Sequence, residues 1–265
     1  MSSELRRILE DLAAGRISVD EAARLINLFS IESIGSAVRF DLGRVLRRGV
    51  PEIVFAEGKA PELLREIVER VVERSGRVIV SRLGEEHVEV LRRAAQQRGY
   101  VLRLSEAGRI ASVSKPRPER PEEPCSVGVV TGGTADMPIA EEVRFVVEEL
   151  GCRAVALYDV GIAGLHRVVE AAKKLKEEDV DVVVAVAGME GALPSVIATL
   201  LDIPVVGVPT SVGYGAGGRG WAALLSMLQA CPLGIAVVNI DGGVAAGVFA
   251  VLIGRRVAAA RRSCR

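Results

Sequence analysis

The chain has 265 residues, 49% hydrophobic and 26% charged, so it can bury a core without staples and is not a disordered polypeptide. Lys plus Arg and Asp plus Glu number 34 each. That balance removes the global positive field which nucleic acid or an anionic membrane would call for, and leaves any anionic ligand to local groups. Leu5, Ile8, Leu9 and Leu12 recur at helical spacing with Gly15 after them as a C-terminal cap, so a short helix opens the chain. No apolar signal core precedes it, and a cytoplasmic location with reduced thiols is expected. Ser18-Val19-Asp20-Glu21 reads as a capping box ahead of Ala22, Leu25, Ile26 and Phe29, giving a second helix and a helical hairpin. From Pro51 the pattern runs strand (53–56), helix (61–74), strand (78–81), helix (85–98), strand (100–104), a small α/β region.

Residues 115–124 hold four prolines among charged residues and form a stiff, solvated linker. The expected domains are therefore 1–114, the linker 115–124, and 125–265. Beyond the linker, five short apolar strands (127–131, 154–158, 182–187, 204–208 and 235–239) alternate with helices. This alternation predicts a doubly wound, flavodoxin-like parallel sheet with helices on both faces. Ligands of such sheets bind outside the carboxyl ends of the strands, which directs attention to the loops there. The longest apolar run, 244–253, is shorter than the roughly 20 residues of a membrane span and reads as a buried helix or a subunit contact.

The first loop, Thr131-Gly132-Gly133-Thr134-Ala135-Asp136-Met137-Pro138, joins a strand to a helix that Pro138 opens. Two glycines, two hydroxyls and a helix N-terminus suit a phosphate; a plain tight turn is the other reading. Asp136 either caps the helix or grips a ribose hydroxyl. The second loop brings Asp159, His166 and Arg167 together. The third, Ala187-Gly188-Met189-Glu190-Gly191-Ala192-Leu193-Pro194, sets one carboxylate among small and apolar residues. Glu190 there is either a proton-transfer group or a helix N-terminal acid favoured by the dipole. The fourth, Gly213-Tyr214-Gly215-Ala216-Gly217-Gly218-Arg219-Gly220, has five glycines in eight residues, and Arg219 suits a phosphate or carboxylate. The fifth, Asn239-Ile240-Asp241-Gly242-Gly243, reads as a turn. Four cysteines without a CxxC pair, and two histidines, argue against structural zinc. Cys125, Cys152 and Cys264 show no chemistry. Cys231, before Pro232 and outside any helix interior, is either a small buried hydrophobe or a reactive thiol.

Taken together, these loops resemble the nickel-pincer cofactor biosynthesis (LarB) family of pyridinium-3,5-biscarboxylic acid mononucleotide synthases. The likeness covers 127–136, 159–167, 187–194, 207–215, 231–234 and 239–243, and ahead of the linker 41–59, ending Pro51-Glu52-Ile53-Val54-Phe55-Ala56-Glu57-Gly58-Lys59. The C-terminal half is similar in turn to the phosphoribosyl-aminoimidazole carboxylases of purine synthesis. In those enzymes a His precedes the Leu-Pro pair, and here that position is Ala192. The resemblance implies carboxylation of nicotinic acid adenine dinucleotide by CO2 and hydrolysis of its phosphoanhydride to release AMP. It implies Cys231 as nucleophile and Glu190 as base. Thr131, Gly132, Gly133, Thr134, Asp136, Asp159, His166, Arg167, Gly188, Met189, Gly215 and Arg219 are the candidate substrate-binding residues. Mg2+ suits the anhydride step, although the sequence names no metal ligands. A homo-oligomer is expected, eight chains by analogy with the purine enzymes, because Cys231 precedes a strand while the other site loops come after strands. The alternatives are an aminoimidazole ribotide carboxylase or mutase, and a non-catalytic nucleotide-binding module.

Overall fold

The computed structural model describes residues 3–28, 30–35, 38–107, 109–116 and 125–263. Phe29, Cys264 and residues 117–124 of the expected linker lie outside them. The chain divides into two units, Met1–Leu104 with Ile110–Pro118, and Ser105–Arg109 with Glu119–Arg265.

In the first unit, helices α1 (Ser3–Ala13) and α2 (Val19–Leu28) form a hairpin. Ser18 Oγ accepts the Glu21 N–H at 3.1 Å, satisfying one of the amides that a helix start leaves open. A two-stranded antiparallel ribbon comes next, β1 (Ile31–Ile34) with β2 (Val38–Asp41), then the short α3 (Arg44–Arg48). Beyond it lie β3 (Ile53–Phe55), α4 (Pro61–Ser75), β4 (Arg77–Ser81), α5 (Glu85–Arg98), β5 (Val101–Leu104) and β6 (Ile110–Ser114). These strands make a mixed sheet of order β3-β4-β6-β5. β3 and β4 are parallel, while β6 is antiparallel to both of its neighbours. The sequence reading finds the strands of the α/β region except β6. Ile110-Ala111-Ser112-Val113-Ser114 is too poor in large apolar residues to stand out alone, and its place between β4 and β5 comes from pairing distant in sequence (Ile79 with Ser112).

The second unit contains β7 (Ser126–Thr131), α6 (Met137–Glu149), β8 (Arg153–Leu157), α7 (Leu165–Glu177), β9 (Val182–Ala187), α8 (Leu193–Leu200), β10 (Val205–Pro209), α9 (Trp221–Leu228), β11 (Ile235–Val237) and α10 (Gly243–Ser263). Its strands are all parallel in the order β11-β10-β9-β7-β8, the flavodoxin-like arrangement the alternation predicts. Every residue of β7, β9 and β10 is buried, as both faces of a doubly wound sheet require. On one face Val168, Ala171 and Leu175 of α7, Leu193 and Ile197 of α8 and Met227 of α9 close the core over Val130, Val183, Ala185 and Val205. On the other, α10 lies against α6. Its 21 residues are long and apolar enough to cross a membrane by length and composition, well beyond the apolar run visible in the sequence. Gly243, Ala246, Gly247, Ala250, Val251, Gly254 and Ala258 of this helix are nonetheless buried within the unit, small side chains that let it approach α6 closely.

The expectation of separate, reduced thiols fails for one pair: Cys125 and Cys152 form a disulfide with Cα atoms 5.0 Å apart. Register explains it. Ser126 pairs with Arg153 across β7 and β8, and the Arg153 N–H donates to Cys125 O at 2.9 Å, so the residues just before these partners must meet although 27 positions separate them. Cys231 is the free cysteine among the described residues, and it is exposed.

In the first unit Glu69 of α4 joins the two helices, accepting from Arg65 Nη1 at 2.9 Å and from Arg98 Nη2 of α5 at 2.7 Å. Its side chain is 11% exposed. Burial alone would raise its pKa, but the hydrogen bonds and charges of Arg98 and Arg65 outweigh burial and hold it below its ordinary value. With the folded pKa depressed, the stabilisation is complete above the ordinary carboxyl pKa and is lost as pH falls through the folded value. Glu69→Gln should lower the unfolding free energy by about 0.2–1 kcal/mol at neutral pH, because both arginines it leaves behind are about half exposed and water takes the carboxylate's place. Urea unfolding at pH 7 and pH 3 checks this: the gap between wild type and variant should shrink at the lower pH, and an equal gap at both would contradict the assignment.

Candidate active site

Because all five strands of the second unit are parallel, the segments leaving the carboxyl ends of β7, β8, β9, β10 and β11 emerge at one edge of the sheet. Strand order reverses between β7 and β9, so the cleft of this edge lies between the turn 131–136 and the turn 187–191.

The β7 turn is held from within. Thr131 is fully buried and its Oγ1 accepts the Asp159 N–H at 3.0 Å, while Thr131 O accepts the Val160 N–H at 2.8 Å, locking the β8 loop beside it. Asp136 is also buried. One of its oxygens accepts the Gly133 N–H at 3.0 Å and the other the Thr210 hydroxyl at 2.6 Å. Asp136 makes no side-chain cap bond to α6; both of its oxygens are engaged by the turn and by Thr210. The glycine amides expected to cradle a phosphate are engaged as well, Gly132 N–H by Val186 O at 2.9 Å and Gly133 N–H by Asp136. The exposed part of the turn is Thr134 and Ala135, ahead of α6. In the β8 loop Arg167 forms an ion pair with Asp159 at 3.0 Å and donates to the carbonyls of Asp159 and Gly161 at 2.9 and 3.3 Å, so its guanidinium braces the loop; His166 is exposed.

Backbone strain concentrates on this edge. Among the described residues six without a glycine's freedom have positive φ, and four of them are Asp159 (57°), Met189 (51°), Arg219 (51°) and Asp241 (54°), all on loops at the carboxyl ends of strands of this sheet. Such conformations cost on the order of 1 kcal/mol or more each and persist where surrounding structure over-determines them, a frequent mark of functional sites. The neighbours doing so can be named. Met189 N–H donates to Val212 O at 3.1 Å, Thr210 N–H to Ala187 O at 3.1 Å, and Asp241 N–H to Pro209 O at 2.9 Å, while Asp241 Oδ1 accepts the Ser211 N–H at 2.8 Å.

Beside the cleft, the β9 turn and the glycine-rich segment enclose a cavity of about 420 Å3 that reaches from Met189 and Glu190 through Gly213, Tyr214 and Gly215 to Arg219. That volume suits a small-molecule ligand. Its titratable lining groups are Glu190, Tyr214 and Arg219. A second cavity, of about 550 Å3, lies along α7 and is lined by Tyr158, Asp159 and Arg167 among others. Among the described residues no group of three or more His, Cys, Asp or Glu is arranged to hold a metal ion. Cys231 is elsewhere. It precedes β11, whose Ile235 pairs with Val205 at the first residue of β10, and so belongs to the amino edge. The five residues of β10 put that edge about 17 Å from the cleft.

Residues 126–262 match the family model described as AIR carboxylase. The chain belongs to the AIR carboxylase (LarB/PurE) family. Residues 31–115 match a second model, LarB/PurE-like N-terminal domain. Uncharacterized protein MJ0165 of Methanocaldococcus jannaschii is 41% identical over 96% of this chain and 98% of its own length. The N5-carboxyaminoimidazole ribonucleotide mutase of Pyrococcus horikoshii is 35% identical over 48% of this chain and 71% of its own, and that of Thermotoga maritima 29% identical over 48% and 73%. Among solved structures, a PurE2 variant of Treponema denticola aligns with a TM-score of 0.40 at 19% identity, covering 51% of this chain and 80% of that one.

Within the family-matched region the approach of the β10 segment to the β9 turn is the tightest feature of the cleft. A Cβ on Gly188 would lie 2.3 Å from Val212 O and 2.7 Å from Thr210 Oγ1, so no side chain fits there without moving backbone. The sequence reading counts Gly188 but not Thr210 among the candidate site residues; a lone Thr at a strand end carries no signal of its own, and only the fold brings it to Asp136. Gly188→Ala should destabilise the protein by about 1–3 kcal/mol, as overpacking does. Gly217→Ala, where the new methyl meets nothing closer than 3.8 Å, should keep a near-native Tm. Thermal unfolding of both variants checks the claim, and equal Tm values would contradict it.

Proposed function

We propose that the protein carboxylates the pyridinium ring of nicotinic acid adenine dinucleotide with CO2 and hydrolyses the phosphoanhydride to release AMP, yielding pyridinium-3,5-biscarboxylic acid mononucleotide for a nickel-pincer cofactor. The observation that carries this reading is the chemistry of the 420 Å3 cavity: it offers Glu190 and Arg219 and no imidazole. Of the two histidines, His166 lies on α7 and His87 in the first unit, where its Nδ1 accepts the Gly84 N–H that opens α5. The match of residues 31–115 to the LarB/PurE-like N-terminal domain supports the same reading, since the mutase relatives cover about half of this chain.

A pyridinium ring is too electron-poor to attack CO2. Addition of the Cys231 thiolate forms a C–S bond and delivers an electron pair to the ring, giving a neutral dienamine whose carbon β to nitrogen is nucleophilic. That carbon bonds to CO2. Glu190 then takes the proton from the same carbon, the ring regains aromaticity, and the C–S bond breaks to return the thiolate. Arg219 pairs with a carboxylate or phosphate of the substrate, and Thr134, in the exposed turn ahead of α6, meets a second anionic group. Gly188, Met189 and Gly215 shape the wall, while Thr131, Asp136, Asp159 and Arg167 hold the loops. Water cleaves the anhydride. Mg2+ suits that step by neutralising phosphate charge, with its ligands supplied mainly by the substrate's phosphates and water, since the described residues hold no group of three or more His, Cys, Asp or Glu for it.

Cys231 at the amino edge cannot reach a ring held at the carboxyl edge of its own sheet, so the reading includes a homo-oligomer in which it completes another subunit's site. The exposed stripe Trp221, Leu225 and Leu228 on α9, continued by Leu233, supports this: large apolar side chains in such a row mark a contact surface. By analogy with the purine enzymes the assembly has eight chains. A second reading, a reaction on an aminoimidazole ribotide, is favoured by the names of the mutase relatives, but Ala192 stands where those enzymes carry a His.

Incubation with the dinucleotide and 13C-bicarbonate, with and without Mg2+, should give AMP and a mononucleotide carrying one labelled carboxylate, detected by mass spectrometry. Cys231→Ser and Glu190→Gln should each lower its formation by roughly 100-fold or more. Turnover of aminoimidazole ribotide with none of the dinucleotide would reverse the two readings.

A further inference from the structure

One buried hydroxyl that the proposed chemistry does not use touches every wall of the cleft. Thr210 comes directly after β10 and is fully buried. Its N–H donates to Ala187 O, at the end of β9, and its hydroxyl proton goes to Asp136. A Cβ on Gly188 would fall 2.7 Å from the same oxygen, and one on Gly220 would fall 2.8 Å from the Thr210 carbonyl. Asp136 in turn holds the Gly133 amide with its other oxygen. A continuous line of contacts thus runs from Gly133 through Asp136 and Thr210 to Gly188, across the point where strand order reverses. Thr134 adjoins one end of that line, and Met189 and Glu190 adjoin the other.

We infer that Thr210 is a positioning residue: its hydroxyl, acting through Asp136, fixes the separation between the turn that receives the substrate's anionic group and the turn that carries Glu190. Substrate does not need to touch it. The physical ground is that a hydroxyl bonded to a buried carboxylate has one low-energy placement, whereas loss of its proton leaves the carboxylate oxygen unpaired and frees Asp136 to turn or to admit water. An error on the order of 1 Å between two groups that must act on one substrate slows the step between them far more than it weakens binding.

The activity part of this inference rests on the proposed carboxylation; the structural part does not. Thr210→Val keeps the shape and removes the hydroxyl, and Thr210→Ser keeps the hydroxyl. With the dinucleotide and bicarbonate, Thr210→Val should lower kcat by about tenfold or more while KM for the dinucleotide stays within about threefold, and Thr210→Ser should recover kcat to within about threefold of wild type. Amide hydrogen exchange supplies the second readout. The amides of Gly133 and Met189 should exchange about tenfold faster in Thr210→Val and at the wild-type rate in Thr210→Ser, with Val127 and Val129 of β7 unchanged. A Val variant with near-normal kcat, a Ser variant that fails to rescue, or faster exchange spread evenly over the sheet would overturn the inference and leave Thr210 as a core residue. If the wild type does not turn over the dinucleotide, the proposed reaction fails, and the exchange pattern alone then decides the role of Thr210.

Discussion

Parallel strand direction is the constraint on which the rest of the second unit depends. Once β7 to β11 run the same way, chain position dictates edge: a segment leaving a strand lies at the carboxyl edge, and a segment entering one lies at the other. The turns of Gly132–Gly133, Asp159, Gly188–Glu190 and Asp241 are brought to one edge by this rule, and the hydrogen bonds between them then fix their places. The same rule separates Cys231 from them by the length of β10. A thiol needed for chemistry at the cleft must then arrive from outside the chain's own sheet, and for that reason assembly enters as part of the catalytic proposal.

The energetics of this unit are divided accordingly. The central strands bury every residue, and the helices that cover them bring small or branched side chains to both faces, so stability resides in the sheet. The carboxyl edge is held differently. Its non-glycine residues in left-handed conformations, and the buried Asp136 carboxylate between an amide and a hydroxyl, are tolerated only because neighbouring turns hydrogen-bond each other. The disulfide between Cys125 and Cys152 reinforces the opposite edge, at the first residue before β7, and takes no part in the cleft.

Much of this was legible in the sequence, and the failures have physical causes. The alternation of apolar strands with helices revealed the sheet and its five loops, because fully buried strands flanked by glycine and proline leave a local signal. Pairings between distant segments leave none. The bond between Cys125 and Cys152, the strand Ile110–Ser114 and the meeting of Thr210 with Asp136 each depend on register that no local pattern encodes. Glycines read as a phosphate cradle have engaged amides, because a turn that presents a helix N-terminus must first satisfy its own backbone. Glu190, whose isolation among small residues leaves it open between proton transfer and a helix N-terminal acid, lines a cavity of ligand size. Arg167, chosen for its charge, is neutralised by Asp159 eight residues earlier.

The central claim, that a site at the carboxyl edge of one chain is completed by Cys231 of another, is tested most directly by subunit mixing. Cys231→Ala and Glu190→Gln chains, each inactive alone, are unfolded, combined in equal amounts and refolded, and carboxylation of the dinucleotide is measured. A site that draws its thiol from one chain and its carboxylate from a second should regain about a quarter of wild-type activity, since half of the carboxylate-bearing chains and half of the thiol-bearing chains are intact and they pair at random. A mixture that stays as inactive as its components, while the wild type recovers under the same refolding, would contradict the account and return Cys231 to its own chain or to no role in the reaction.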